Sequence, residues 1–153
     1  MIIVILDNIR SVYNVGSIFR TCDGAGVEKI YLCGTTPTPL DRFGRVRKDL
    51  AKVALGAEKT VPWEYTKTTE EAIESLKAEG VRVVAVEQSP SAISYKTFKQ
   101  TSKIAFVFGN ETDGVSKQVL DMCDTIVEIP MHGAKESLNV SVVAGIILFA
   151  HTS

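Results

Sequence analysis

Cysteine is scarce in this sequence: three among 153 residues, an odd number with no C-x-x-C spacing. That excludes a disulfide-stapled scaffold and reads Cys22, Cys33 and Cys123 as reduced thiols of a cytoplasmic protein. Histidine is scarcer still, with only His132 and His151, so no metal site is expected. An excess of one charge is missing too. Seventeen Lys and Arg against eighteen Asp and Glu leave a formal net charge of −1, which excludes a polybasic binder but not a local basic patch. Long apolar runs are absent: the longest, Val142 to Ala150, has nine residues, where a membrane span needs ~20. The opening Met1-Ile2-Ile3-Val4-Ile5-Leu6 has no basic flank and meets Asp7 too early for a secretory signal. Neither membrane insertion nor export is expected.

The familiar nucleotide and hydrolase motifs are also lacking. Gly24-Ala25-Gly26 precedes a strand instead of opening a helix, so it is no dinucleotide fingerprint. There is no phosphate-binding G-x-x-x-x-G-K-[ST] loop, no G-x-S-x-G elbow and no H-E-x-x-H.

What is present is ordinary globular material, 45% hydrophobic and 23% charged, in one expected domain spanning 1–153. Strands are expected at Ile2–Leu6, Lys29–Cys33, Thr60–Trp63, Val81–Val86, Ile104–Phe108 and Thr125–Ile129. Helices are expected from Asn14 to about Ala25, at Arg47–Leu55, from Thr68 to Gly80, at Ser116–Met122 and at Leu138–Ala150. Thr68 and Glu71 form a capping-box pair. Gly34–Gly44 and Gln88–Ser94 read as loops. Alternating strands and helices predict an α/β fold, a mostly parallel sheet with helices on both faces. Ligands of such folds sit beyond the carboxyl ends of strands, which singles out the loops after Leu6, Val86, Phe108 and Ile129.

Three segments stand out. In Asn14-Val15-Gly16-Ser17-Ile18-Phe19-Arg20-Thr21, Asn14 can cap the helix, and Arg20, near Gly16, suits approach by a phosphate or ribose; taken alone, Arg20 also reads as a solvated surface residue. In Phe108-Gly109-Asn110-Glu111-Thr112-Asp113-Gly114, a buried strand ends at a Gly that lets backbone approach a ligand. The plain alternative is a strand–helix turn with Gly114 at positive φ. In Ile129-Pro130-Met131-His132-Gly133-Ala134-Lys135-Glu136-Ser137-Leu138-Asn139-Val140-Ser141-Val142, Ser137 can cap the last helix, and Asn139 is an amide needing partners in its first turn. That helix is apolar nearly all round, so it is either central or covered by a second subunit.

Together the three segments resemble the SpoU/TrmH family of RNA ribose 2′-O-methyltransferases, in the SPOUT superfamily. The resemblance rests on N-V-G-S-I-F-R-T at 14–21, F-G-N-E-x-x-G at 108–114 and I-P-M-x-G…S-L-N-V-S-V at 129–142, in order and across essentially the whole chain. Cys22 and Val143 stand where the family has alanine, a matter of packing. The resemblance implies an α/β knot, with the C-terminal segment threaded as a trefoil. It implies a homodimer with active sites at the subunit interface, and S-adenosylmethionine held at Val86, Gly109, Ile129, Met131, Ser137 and Leu138. It assigns Arg20 to activation of the 2′-hydroxyl. A guanidinium is essentially always protonated, so stabilising a developing alkoxide is as good a role as that of general base. Asn14 and Asn139 would orient the ribose or Arg20, Glu111 would accept a hydrogen bond from Arg20 or substrate, and Ser137 would sit between donor and substrate.

RNA must also be held. The stretch from Asp41 to Lys52 carries five basic residues, two acids and one aromatic, a phosphate-tracking patch or else a solvated loop and helix face. Arg10, Arg42, Arg45, Arg47 and Lys48 are the RNA-binding candidates. Family members acting on ribosomal RNA often carry an extra N-terminal domain, and this sequence opens at its first strand, so transfer RNA is the expected substrate. The alternatives are ribosomal RNA, a catalytically silent RNA-binding module of the same fold, and a generic α/β nucleotide- or phosphate-binding protein.

Overall fold

The structure is a computed structural model that describes residues 1–99 and 102–152. Seven strands, β1 (Ile2–Asp7), β2 (Lys29–Cys33), β3 (Trp63–Thr66), β4 (Arg82–Val86), β5 (Ile93–Ser94), β6 (Ile104–Phe108) and β7 (Thr125–Glu128), form one sheet in the order β3-β2-β1-β6-β4-β7-β5. Every pairing is parallel. The central strands β1, β6 and β4 are mostly apolar because both faces are covered; all six residues of β1 are buried. The helices are α1 (Val12–Ala25), α2 (Lys48–Ala54), α3 (Ala57–Thr60), α4 (Thr69–Ala78), α5 (Lys117–Met122) and α6 (Val140–Ala150).

The alternation of side chains along each strand divides the core in two. Val4, Leu6, Ile30, Leu32, Phe106 and Phe108 pack under α1, α2 and α6 with Phe19 and Ile147. Ile3, Ile5, Tyr31, Val83 and Val107 pack under α4 and α5 with Ile73, Leu76 and Val119. Because all strands run one way, their carboxyl ends share one rim. Asn8, Gly34, Glu87 and Gly109, each the residue after a strand, stand along it.

Several boundaries differ from the sequence reading. Helix α1 begins at Val12, not Asn14: the Ser11 hydroxyl caps it, accepting the Asn14 N–H at 3.1 Å. The expected strand at 60–63 is displaced, since α3 runs to Thr60 and β3 starts at Trp63. The loop expected at 88–94 ends in the two-residue edge strand β5. Strand β7 stops at Glu128, one residue short of Ile129. The last helix starts at Val140, because Asn139 and not Ser137 is its cap: Asn139 Oδ1 accepts the Ser141 N–H at 2.9 Å. The Thr68 cap is as expected, with its hydroxyl accepting the Glu71 N–H.

Candidate functional site

A cleft of about 680 Å³ opens on the rim at the ends of β4, β6 and β7. Val86, Gly109, Ile129, Met131, Ser137 and Leu138, the six positions expected to hold a methyl donor, all line it. Glu111 and Asn139 line it as well; Arg20 and Asn14 do not. Sequence reading missed Glu87, Gln88, Leu120, Glu128 and Val143 in the lining. Glu87 had a signal, an acid placed directly after a buried strand.

The charged lining is one-sided. Glu87, Glu111, Asp113 and Glu128 border the cleft, and no Lys, Arg or His lines it among the described residues. Two of these acids also build the walls. Glu87 Oε2 accepts the Val115 N–H at 2.8 Å and Oε1 accepts the Gln88 N–H at 3.0 Å, which ties the end of β4 to the turn after β6. The Gln88 side-chain amide donates to the Ile129 carbonyl at 2.9 Å and closes the third wall.

Gly109 has a different reason from the one expected. A Cβ there would lie 2.3 Å from the Gly114 carbonyl carbon and 2.4 Å from the Val115 nitrogen. The turn folds back on itself, with paired bonds between Asn110 and Gly114, so the absent side chain admits backbone and not ligand. Gly114 does have the positive φ, +69°, and a Cβ there would meet Glu87 Oε2 at 2.1 Å.

Glu111 reaches across the rim to the start of α1. Its carboxylate accepts the N–H groups of Arg10 at 3.1 Å and Ser11 at 3.0 Å, and the Asn14 side-chain amide at 3.1 Å. Burial works against its charge, but the bonds from Ser11, Asn14 and Arg10 outweigh burial and hold the carboxyl below the usual glutamate range. The expected Glu111–Arg20 bond is therefore not formed. Both oxygens are taken, and Arg20 stands nine residues beyond Ser11, roughly 13 Å along the helix. Asn14 is buried and serves Glu111 instead of Arg20. Gly16 likewise serves packing: a Cβ there would lie 2.9 Å from Val53 Cβ and 3.0 Å from the Leu50 carbonyl, so α1 and α2 touch through it. Arg20 itself is exposed. Asn139, expected to need partners inside a buried turn, is exposed and occupied as a cap.

Helices α1 and α6 lie side by side, and a Cβ at Gly24 would lie 3.4 Å from the tip of the Phe149 ring. The outer face of α6 is apolar and open, and that of α1 carries Tyr13 beside Arg20 and Asp23. Tyr13 is 66% exposed, Val142 49% and Phe149 55%. Arg20 shares this uncovered side of α1 with Tyr13.

The basic candidates are divided. Arg10 borders a smaller cleft of about 440 Å³ with Ser11, Thr112 and Asp113, adjoining the first. Arg45 is paired with Asp41 at 3.2 Å and Arg47 with Asp49 at 3.0 Å, so part of their charge is met locally. Arg42 and Lys48 are exposed and form no ion pair among the described residues. Those residues hold no cluster of three or more His, Cys, Asp or Glu placed to bind a metal ion. Among the described residues no helix is long and apolar enough to cross a membrane.

Comparison with known proteins adds the following. A model described as the SpoU rRNA Methylase family matches residues 1–149. The 23S rRNA (guanosine-2′-O-)-methyltransferase RlmB of Neisseria meningitidis is 34% identical over 147 residues, 96% of this chain and 56% of that protein. The chain thus spans little more than half the length of that relative. Among solved structures, the AdoMet-bound rRNA methyltransferase from Sinorhizobium meliloti superposes with a TM-score of 0.88 at 29% identity, covering 97% of this chain and 54% of the other. The A. aeolicus TrmH/SpoU tRNA modifying enzyme gives 0.84 at 30% identity, covering 97% and 72%.

Proposed function

The chain belongs to the SpoU rRNA methylase family, and on that premise we propose that it transfers a methyl group from S-adenosylmethionine to a ribose 2′-hydroxyl of RNA. The cleft carries this reading. Its volume lies within the roughly 300–1,000 Å³ of small-molecule sites, and its four acids without a base suit a ligand bearing a sulfonium and an ammonium. The same charge opposes a phosphate-bearing ligand, which weighs against the generic nucleotide-binding alternative. Once bound, the donor supplies an electrophilic methyl group.

The protein must then hold the hydroxyl in line and ease the loss of its proton. Arg20 takes that task, fixing a neighbouring phosphate and stabilising the developing alkoxide. Glu111 and Asn14 position α1, which carries Arg20, instead of touching it. Ser137 and Asn139, on the cleft wall, face donor and ribose. Arg20 lies outside its own chain's cleft, so a second copy has to complete the site. The open apolar face of α6 and the exposed Tyr13 of α1 are what that copy would cover. Family membership also implies an α/β knot, with the C-terminal segment threaded as a trefoil. The three unpaired thiols suit work in the cytoplasm.

Ribosomal RNA is the favoured substrate, because the relative above acts on 23S rRNA. Transfer RNA is the second reading, favoured by the likeness to the A. aeolicus tRNA modifying enzyme. Incubating the protein with labelled methyl donor and total RNA, then mapping the modified nucleoside, tests both. A 2′-O-methyl nucleoside in one RNA class is expected. No incorporation, with no donor binding by calorimetry, overturns the proposal.

A further inference from the structure

The most exposed aromatic ring of the chain stands on the same rim as the cleft. Phe43, 67% exposed, tips a hairpin between β2 and α2. Leu40 and Val46 bridge across its base. The Asp41 N–H donates to the Arg45 carbonyl at 2.8 Å and the Gly44 N–H to the Asp41 carbonyl at 2.9 Å. Asp41 Oδ1 accepts the Phe43 and Arg45 N–H groups at 2.8 and 2.9 Å, and Arg45 Nε donates to Asp41 Oδ2. The Arg45 N–H is the leading reason that the Asp41 carboxyl lies below its usual range. This turn is held from inside, and burial is not what fixes the ring. The guanidinium groups of Arg42 and Arg45 stand 5.0 and 4.9 Å from the ring centroid.

The ring is held open to water by a structured turn, with two guanidinium groups over part of it, and burial does not account for it. The combination matches what binds an unpaired nucleotide: a π face for the base and charge for the phosphates flanking it. A duplex hides its base faces, so such a ring selects single strand. The place is apt. The connection that carries Phe43 leaves the end of β2, and β2 and β6 are separated by β1 alone, so it starts two strand spacings, roughly 10 Å, from the end of β6. We propose that Phe43, with Arg42 and Arg45, is a stacking platform that holds an unpaired base near the one whose ribose enters the cleft.

The inference rests on RNA as the substrate, and its test separates the two ideas. The full chain is titrated against a labelled oligouridylate and against a duplex RNA of the same length, by fluorescence anisotropy, and against S-adenosylmethionine by calorimetry. Phe43→Ala weakens oligouridylate binding about fivefold or more, leaves duplex binding and its salt dependence alone, and leaves donor binding unchanged; Phe43→Tyr restores the affinity. In Phe43→Trp, oligouridylate quenches the added tryptophan and duplex does not. Equal losses on both RNAs, or no loss on either, overturn the platform whatever the donor does. If the preference for single strand depends on Phe43 while the wild-type chain takes no donor, the platform stands and the methyltransferase reading falls.

Discussion

Glu111 and Asn14, 97 positions apart in the chain, share a hydrogen bond of 3.1 Å. Through it the turn that walls the cleft is fixed to the first turn of the helix carrying Arg20. The carboxylate does what a capping-box acid does within one helix, but from a different part of the chain. The position and tilt of α1 are thereby set by a residue of the cleft itself.

Glu111→Gln keeps one acceptor and loses the charge and the second oxygen. Stability should fall by about 0.5–1 kcal/mol, modest because the rim is open to solvent. The sign with pH follows from the lowered pKa. A depressed carboxyl stabilises the fold above its unfolded value of 4.5 and loses that contribution as pH falls through the folded value. Denaturant midpoints of wild type and variant should therefore differ at pH 7 and converge in acid.

Gly109→Ala puts a methyl group into the Gly114–Val115 backbone. Destabilisation of about 3 kcal/mol or more is expected. Gly133→Ala, where nothing lies within 4 Å, should be close to neutral. Urea midpoints for the pair test whether Gly109 answers to packing.

Arg20→Ala should abolish methyl transfer and leave donor binding intact, since Arg20 does not line its own chain's cleft. Calorimetry with S-adenosylmethionine, alongside incorporation of labelled methyl, reads both. Loss of donor binding together with activity would contradict the assigned role.

Arg42→Glu removes a cation that has no ion-pair partner among the described residues. RNA binding should weaken, and the slope of log affinity against log salt should shrink by about 1. An unchanged slope removes this hairpin from the interface.

His151 is wedged between the rings of Phe98 and Phe106, each 5.5 Å away, and its Nε2 is buried without a partner among the described residues. Burial lowers its pKa from the ordinary 6.5, against a weaker opposing bond from the Tyr95 backbone. The unfolded chain takes up the proton first, so stability is complete above about pH 6.5 and drains as pH falls. His151→Phe should flatten that decline in thermal midpoints measured from pH 8 to 5.

The parallel sheet was legible because continuous apolar runs such as Ile2–Leu6 and Ile104–Phe108 admit little else. The cleft was legible through family motifs, and the six positions expected to hold the donor do meet around one space. What escaped were matters of partnership. Asn14 reads as a cap in a local window, and only a turn 97 residues away shows that its amide belongs to Glu111. Gly16 and Gly109 read as room for a ligand until Val53 and Val115 are seen filling it. At the head of α6 Ser137 is the cap that sequence suggests, and Asn139 takes that place by bonding Ser141.

Strand β1 lies between β2 and β6, with Ile2 opposite Ile104 and Leu6 opposite Phe108. On a ribosome β1 is therefore made about a hundred codons ahead of β6, the other half of this junction. At ~5–20 residues per second, that interval is on the order of 5–20 s. During it the bare flank of β1 offers its hydrogen bonds to any extended chain nearby. Synthesis of this protein thus contains a waiting period, and a chaperone that shields nascent β1 should matter more to its yield than one acting on the finished chain.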